Sequence, residues 1–139
     1  MAYDPNNIFA KIIRGEAPCF KVYEDNSTIA FLDIMPQAEG HTLVIPKEHA
    51  ETIFDLSRDG AAALISTTQK VAGAVKQITK SPGILLAQLN GAAAGQTVSH
   101  IHFHIIPRSS GIDLNLHARD KADFEKLKSL AAKIAAALQ

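Results

Sequence analysis

His100-Ile101-His102-Phe103-His104-Ile105-Ile106-Pro107 sets an imidazole at every second position and an apolar residue between each pair. Successive side chains of an extended strand point to opposite faces. Such a strand lines one surface with His100, His102 and His104 and turns Ile101, Phe103 and Ile105 into a core. The histidines then form a row of groups that exchange protons near neutral pH, each able to act as base, acid, nucleophile or metal ligand. Just upstream lie Gly91, Gly95, Gln96 and Thr97. Glycine leaves the backbone open to an approaching anion, and an amide and a hydroxyl placed there can donate to phosphate oxygens.

Working outward, residues 84–89 form a strand that the Gly/Ala loop 90–95 joins to the histidine strand. A helix over 58–79 keeps Leu64, Ile65, Val71, Val75 and Ile78 at helical spacing, and Ser81-Pro82-Gly83 ends it. Strands are expected at 20–24, 28–33 and 41–45, the first two joined by a turn at 24–27 and the third closed by Pro46. An opening helix over 7–14 groups Ile8, Phe9, Ile12 and Ile13 and stops at Gly15. A closing helix over 120–138 carries Phe124, Leu127, Leu130, Ala131, Ile134 and Leu138 on one stripe. These elements describe an α+β domain with a mostly antiparallel five-stranded sheet, one long helix and an additional C-terminal helix.

At 139 residues and 14.9 kDa the chain reads as one domain, 1–139, with its core over about 4–110 and a helical extension over about 119–138. Basic and acidic residues balance at 14 each, so no overall field recruits nucleic acid or an anionic membrane. No apolar run approaches the ~20 residues of a membrane span. Met1 to Asn7 lacks the order of a signal peptide, and the single Cys19 excludes an internal disulfide framework. The expectation is a soluble cytoplasmic protein.

The residues alone leave several readings of the histidine row: a solvated polar face, a metal site completed by His41, His49 or His117, a nucleotide-binding module, and covalent catalysis by an imidazole. The stretch from Gly95 to Arg108, with Gly-Gln-Thr before alternating histidines, resembles the signature of the histidine triad superfamily of nucleotide hydrolases and transferases. The resemblance extends to residues 7–18, to Phe31-Leu32-Asp33-Ile34-Met35-Pro36, and to Gly40-His41-Thr42-Leu43-Val44-Ile45-Pro46-Lys47.

That resemblance implies cleavage at the α-phosphorus of a nucleoside phosphate, with a purine nucleoside phosphate as substrate, through a covalent nucleotidyl-histidine. His102 would be the nucleophile, His100 and His104 its flanking partners, and His41 the histidine behind the row that tunes His104. Gln96 and Thr97 would contact the α-phosphate and leaving group, with Gly95 beside them. Asp33 would accept from the ribose hydroxyls, Phe9, Ile12 and Ile34 would sandwich the base, and Asn90 would stand at the phosphate-side rim. Many bacterial relatives hold a structural zinc with a Cys-x-x-Cys pair and two histidines. Asn7 and Ala10 occupy the cysteine places here, so no metal and no cofactor are expected, although His49 and His100 remain. Phe103 departs from the His-Pro-His of the uridylyltransferase branch and points to hydrolysis. Thr97 resembles the branch acting on dinucleoside polyphosphates, whereas residues 7–18 and Asp33-Ile34 resemble the phosphoramidase branch, and the alternatives stay open. A nucleotide-binding or scaffolding protein with little turnover is the other function compatible with the pattern. The resemblance also implies a homodimer; the uncharged stretch 61–65 suits an interface or a monomer core.

Overall fold

A computed structural model describes residues 2–110 and 121–139. The elements run α1 (Ile8–Ile13), β1 (Lys21–Glu24), β2 (Thr28–Leu32), β3 (Thr42–Pro46), α2 (Arg58–Thr79), β4 (Gly83–Gln88), β5 (Phe103–Arg108) and α3 (Phe124–Ala137). A single 3-10 turn, Ala92–Ala94, interrupts the loop before β5. The strands form one antiparallel sheet in the order β1-β2-β3-β5-β4. The α+β class and the five strands are as the sequence led us to expect. Asp120, where the closing helix was expected to start, and His117 lie outside the described residues.

Local chemistry sets the boundaries. Asn7 caps α1 by accepting from the Ala10 N–H, and Ser57 caps α2 by accepting from the Gly60 N–H. Lys80 ends α2 in the left-handed region at φ 55°. Asp25 closes the β1–β2 turn by accepting from the N–H groups of Ser27 and Thr28.

Both sheet faces are covered, so β2 and β3 are buried along their whole length. Ala30, Leu32, Val44 and Ile105 pack with Val71, Val75 and Ile134 under α2 and α3. The alternate residues Ile29, Phe31, Leu43 and Ile45 pack on Phe9 of α1. Three sequence expectations about faces do not hold. Ile8 is 47% exposed, because it borders an open cavity, and Ile65 is 51% exposed on the outer side of α2. Phe124, expected on the buried stripe of α3, is half-exposed and meets Phe20 edge-on.

The histidine strand is also shorter than expected. β5 begins at Phe103, so only His104 of the three histidines lies within it. The ladder pairs Val44 with Phe103 and goes no further. Continuing it would bring Pro46, which has no N–H, opposite the incoming segment. The Ile101 N–H instead donates to the Ala50 carbonyl at 2.9 Å. The alternation nevertheless survives: Ile101 and Ile105 are fully buried in the core.

Candidate active site

The period of two along the strands assembles the site. Leu43 is the cross-strand partner of His104, so His104 shares the α1 side of the sheet with Leu43, and His41, His102 and Asp33 follow at two-residue intervals. A cavity of about 560 Å³ opens on that side. Its walls include Ile8, Phe9, Ile12, Asp33, Ile34, Gly95, Thr97, His41, His102 and His104. The structure therefore brings together nine of the expected site residues, and adds Ile8. His100, Gln96 and Asn90 stand outside the lining.

His102 is 5% exposed, and Phe9 meets its ring edge-on at 4.9 Å. Its Nδ1 lies 2.7 Å from the His100 carbonyl oxygen. A carbonyl can only accept, so Nδ1 carries the proton and Nε2 keeps a lone pair. Among the described residues no buried side-chain nitrogen or oxygen lacks a partner. Nε2, which has none, is thus open to the cavity. Burial lowers the pKa of the ring below the usual imidazole value, keeping it neutral.

His41 and His104 form a second ordered unit. The Gln37 N–H donates to His41 Nδ1 at 2.9 Å, which forces the His41 proton onto Nε2. That Nε2–H donates to His104 Nδ1 at 3.0 Å, so His104 carries its own proton on Nε2, the opposite nitrogen from His102. One backbone amide thereby sets two tautomers in sequence. Burial first, then the nearby His104 and His102, pushes the His41 pKa down to about 3 and holds it neutral. Asp33 approaches His41 Nε2 only to 3.6 Å and accepts instead from the Met35 N–H. Its carboxyl pKa is raised by burial.

His100 is fully buried away from the cavity. Its Nε2–H donates to the Pro46 carbonyl at 2.8 Å, and its Nδ1 accepts from the Tyr3 hydroxyl at 2.5 Å. Both ring nitrogens are engaged, so its contribution to the cavity is the backbone carbonyl that holds His102. Gln96 is similarly committed: its amide donates to the carbonyls of Glu51 and Val98, and its oxygen accepts from the Gly91 N–H. The Asn90 side chain bonds Gln88 and the Ile53 N–H. Gly91 and Gly95 both have positive φ, as a tight loop requires, yet the Gly95 N–H donates to the Ala92 carbonyl. The N–H groups of Gly91, Ala94, Gly95 and Gln96 thus build the loop, and Thr97 lines the cavity.

The positions at which the resemblance implies a zinc in other bacterial proteins do not fit one here. Asn7 is a helix cap, Ala10 is buried and has no ligand atom, and both nitrogens of His100 are bonded. Separately, Asp33, His41 and His104 offer ligand atoms within 4.8 Å of one another, but both His41 nitrogens are engaged, Nδ1 by the Gln37 N–H and Nε2 by His104.

Residues 14–111 match the HIT domain family. The chain belongs to that family. A HIT-like protein from Bartonella henselae, described as involved in cell-cycle regulation, is 51% identical and superimposes with a TM-score of 0.92, over 99% of this chain and 100% of that one. An adenosine 5'-monophosphoramidase of Candida albicans is 36% identical over 141 residues, 96% of this chain and 92% of that protein. An adenylylsulfatase of Arabidopsis thaliana is 45% identical over 101 residues, 73% of this chain and 51% of that protein. The HIT fold of these neighbours is the sheet and helix arrangement described above.

Sequence reasoning passed over Tyr3, the Gln37 amide and Ile8. Tyr3 lies 97 residues from the histidine it bonds, and a backbone N–H has no side-chain signature, so neither left a local pattern. Ile8 was visible as apolar, but only the open cavity shows that it stays uncovered.

Proposed function

We propose that this HIT protein hydrolyses nucleoside phosphoramidates at the α-phosphorus, with an adenylyl group as the nucleotide part and His102 as the nucleophile. The observation that carries this reading is the tautomer of His102: Nδ1–H is held by the His100 carbonyl and the Nε2 lone pair is presented to the cavity. A neutral, oriented imidazole is a competent nucleophile without a metal. The names of two relatives, an adenosine 5'-monophosphoramidase and an adenylylsulfatase, both point to an adenylyl group in the substrate.

In this mechanism Nε2 forms a bond to phosphorus and the phosphorus–nitrogen bond of the substrate breaks. The departing amine takes a proton from solvent. Water then attacks the same phosphorus, the Nε2–phosphorus bond breaks, and its electron pair returns to Nε2 while the remaining proton of that water goes to solvent. In sum, hydroxyl joins phosphorus and hydrogen joins the amine. The His104 Nε2–H and the Thr97 hydroxyl donate to the phosphate oxygens, where removal of one donor typically costs about a hundredfold or more in rate. Asp33 accepts from the ribose, and Phe9, Ile12, Ile34 and Ile8 enclose the base.

The reading includes a homodimer. Among the described residues β4 ends the sheet with an open edge and a half-exposed Leu86, which supports pairing with a second copy's sheet. Sedimentation at micromolar concentration should give twice the chain mass.

The functional test is release of AMP from adenosine 5'-phosphoramidate. His102→Ala should abolish turnover and leave AMP affinity within a few-fold. Turnover that survives this substitution would remove His102 as nucleophile. Wild type that binds AMP but turns over neither phosphoramidates nor dinucleoside polyphosphates would be a binding protein instead.

A further inference from the structure

The N-terminal segment is tied into the site by a chain of oriented bonds. Asn7 Nδ2 donates to the Tyr3 hydroxyl oxygen at 2.9 Å, and the Tyr3 O–H donates to His100 Nδ1 at 2.5 Å. His100 Nε2–H donates in turn to the Pro46 carbonyl, and the His100 carbonyl accepts from His102 Nδ1–H. Every bond has one permitted direction, because the first group can only donate here and both carbonyls can only accept. The Tyr3 ring also stacks on His49, with centroids 4.6 Å apart and planes 11° apart, and meets His100 edge-on at 5.6 Å. His49 and His100 are the two histidines left without the cysteines expected beside them in zinc-holding relatives.

We propose that Tyr3 is a positioning residue for the nucleophile, clamping His100 so that its carbonyl holds His102 in the attacking tautomer. The proposal rests on His102 being that nucleophile. Without the Tyr3 hydroxyl, His100 Nδ1 is a fully buried acceptor with no donor, and the ring that anchors the 100–102 segment to Pro46 loses one of its two side-chain attachments. The backbone of that segment precedes β5 and is tied to its neighbours by the Ile101 N–H to Ala50 bond, while Ile101 itself is buried in the core, so the orientation of the His100 carbonyl depends on how the His100 ring is held. Burial, as the larger cause, raises the Tyr3 pKa, so the hydroxyl keeps its proton at neutral pH.

Two variants test the clamp in the full-length protein. Tyr3→Phe keeps the stack on His49 and removes the O–H. Asn7→Asp keeps the helix cap but presents an acceptor to the Tyr3 hydroxyl, drawing its proton away from His100. Both should lower kcat on adenosine 5'-phosphoramidate roughly three- to tenfold, the worth of one net hydrogen bond, with KM within about twofold of wild type. In long-range proton–nitrogen spectra the His100 Nδ1 resonance should move toward that of an unbonded acceptor, and the His102 Nδ1–H should exchange faster with solvent. A variant that fails to fold leaves the other to decide. An unchanged kcat in a folded variant, or His102 signals identical to wild type, overturns the clamp. If wild type itself shows no turnover, the hydrolase reading fails, and the spectra alone decide whether Tyr3 orients His100 and His102.

Discussion

Lowering the pH from about 7.5 to about 5 should remove about 4 kcal/mol of folding stability, carried mainly by His41 and His100. The fold holds their pKa values at about 3 and about 4, whereas both titrate near 6.5 when unfolded. The unfolded chain therefore binds protons first as the pH drops below 6.5. Stability that is complete above that value is lost progressively down to the folded pKa values. At pH 5 each histidine contributes a loss of about 2 kcal/mol. Burial is the principal cause for both; the Pro46 carbonyl partly opposes it at His100, while His102 and His49 reinforce it. His102 works in the same direction. Asp33 works against the trend, since burial raises its pKa and the folded state takes up its proton first. Glu24 and Asp25, both lowered, titrate below the window. The assay is urea unfolding by circular dichroism at both pH values, at fixed protein concentration and with unchanged slope. His41→Gln, which cannot titrate, should lose about half of the pH effect. A change below about 1 kcal/mol in wild type would refute the claim that these rings are held neutral.

Gly40→Ala should cost about 2–4 kcal/mol, because φ is +95° there and the new Cβ would sit 2.6 Å from Thr79 Cγ2; a thermal melt reads it. Phe9→Ala should cost about 3–5 kcal/mol and slow turnover, since Phe9 is buried against Phe31 and His102; equilibrium unfolding alongside steady-state kinetics checks both. Asp33→Asn retains an acceptor for the Met35 N–H but weakens the proposed ribose contact, so KM should rise about tenfold with adenosine 5'-phosphoramidate and hardly at all with its 2',3'-dideoxy analogue.

Periodicity made most of the fold readable. The spacing of Leu64, Val71 and Val75 marked α2, Ser81-Pro82-Gly83 marked its close just past the observed end at Thr79, and alternation placed Ile101 and Ile105 in the core. It failed where a single backbone feature governs. Pro46 stops the β3–β5 ladder before His100 and His102, so they leave the sheet while keeping their alternation. At the site, the alternation announced His102 and His104, the family resemblance added His41 and Asp33, and the fold brings all four to one cavity. Directionality was invisible. Whether Gln96 faces a ligand or braces its own loop depends on the carbonyls of Glu51 and Val98, which no spacing rule encodes. The proton positions likewise depend on the Gln37 amide and on the Pro46 and His100 carbonyls, groups that every residue type shares.

Rapid-quench mass spectrometry of the intact protein with adenosine 5'-phosphoramidate tests the attack by His102 Nε2 most directly. The account predicts a transient mass increase of one adenylyl group, mapped to His102 and absent from His102→Ala. Steady turnover with no adduct at any quench time, or an adduct on a different residue, would contradict it.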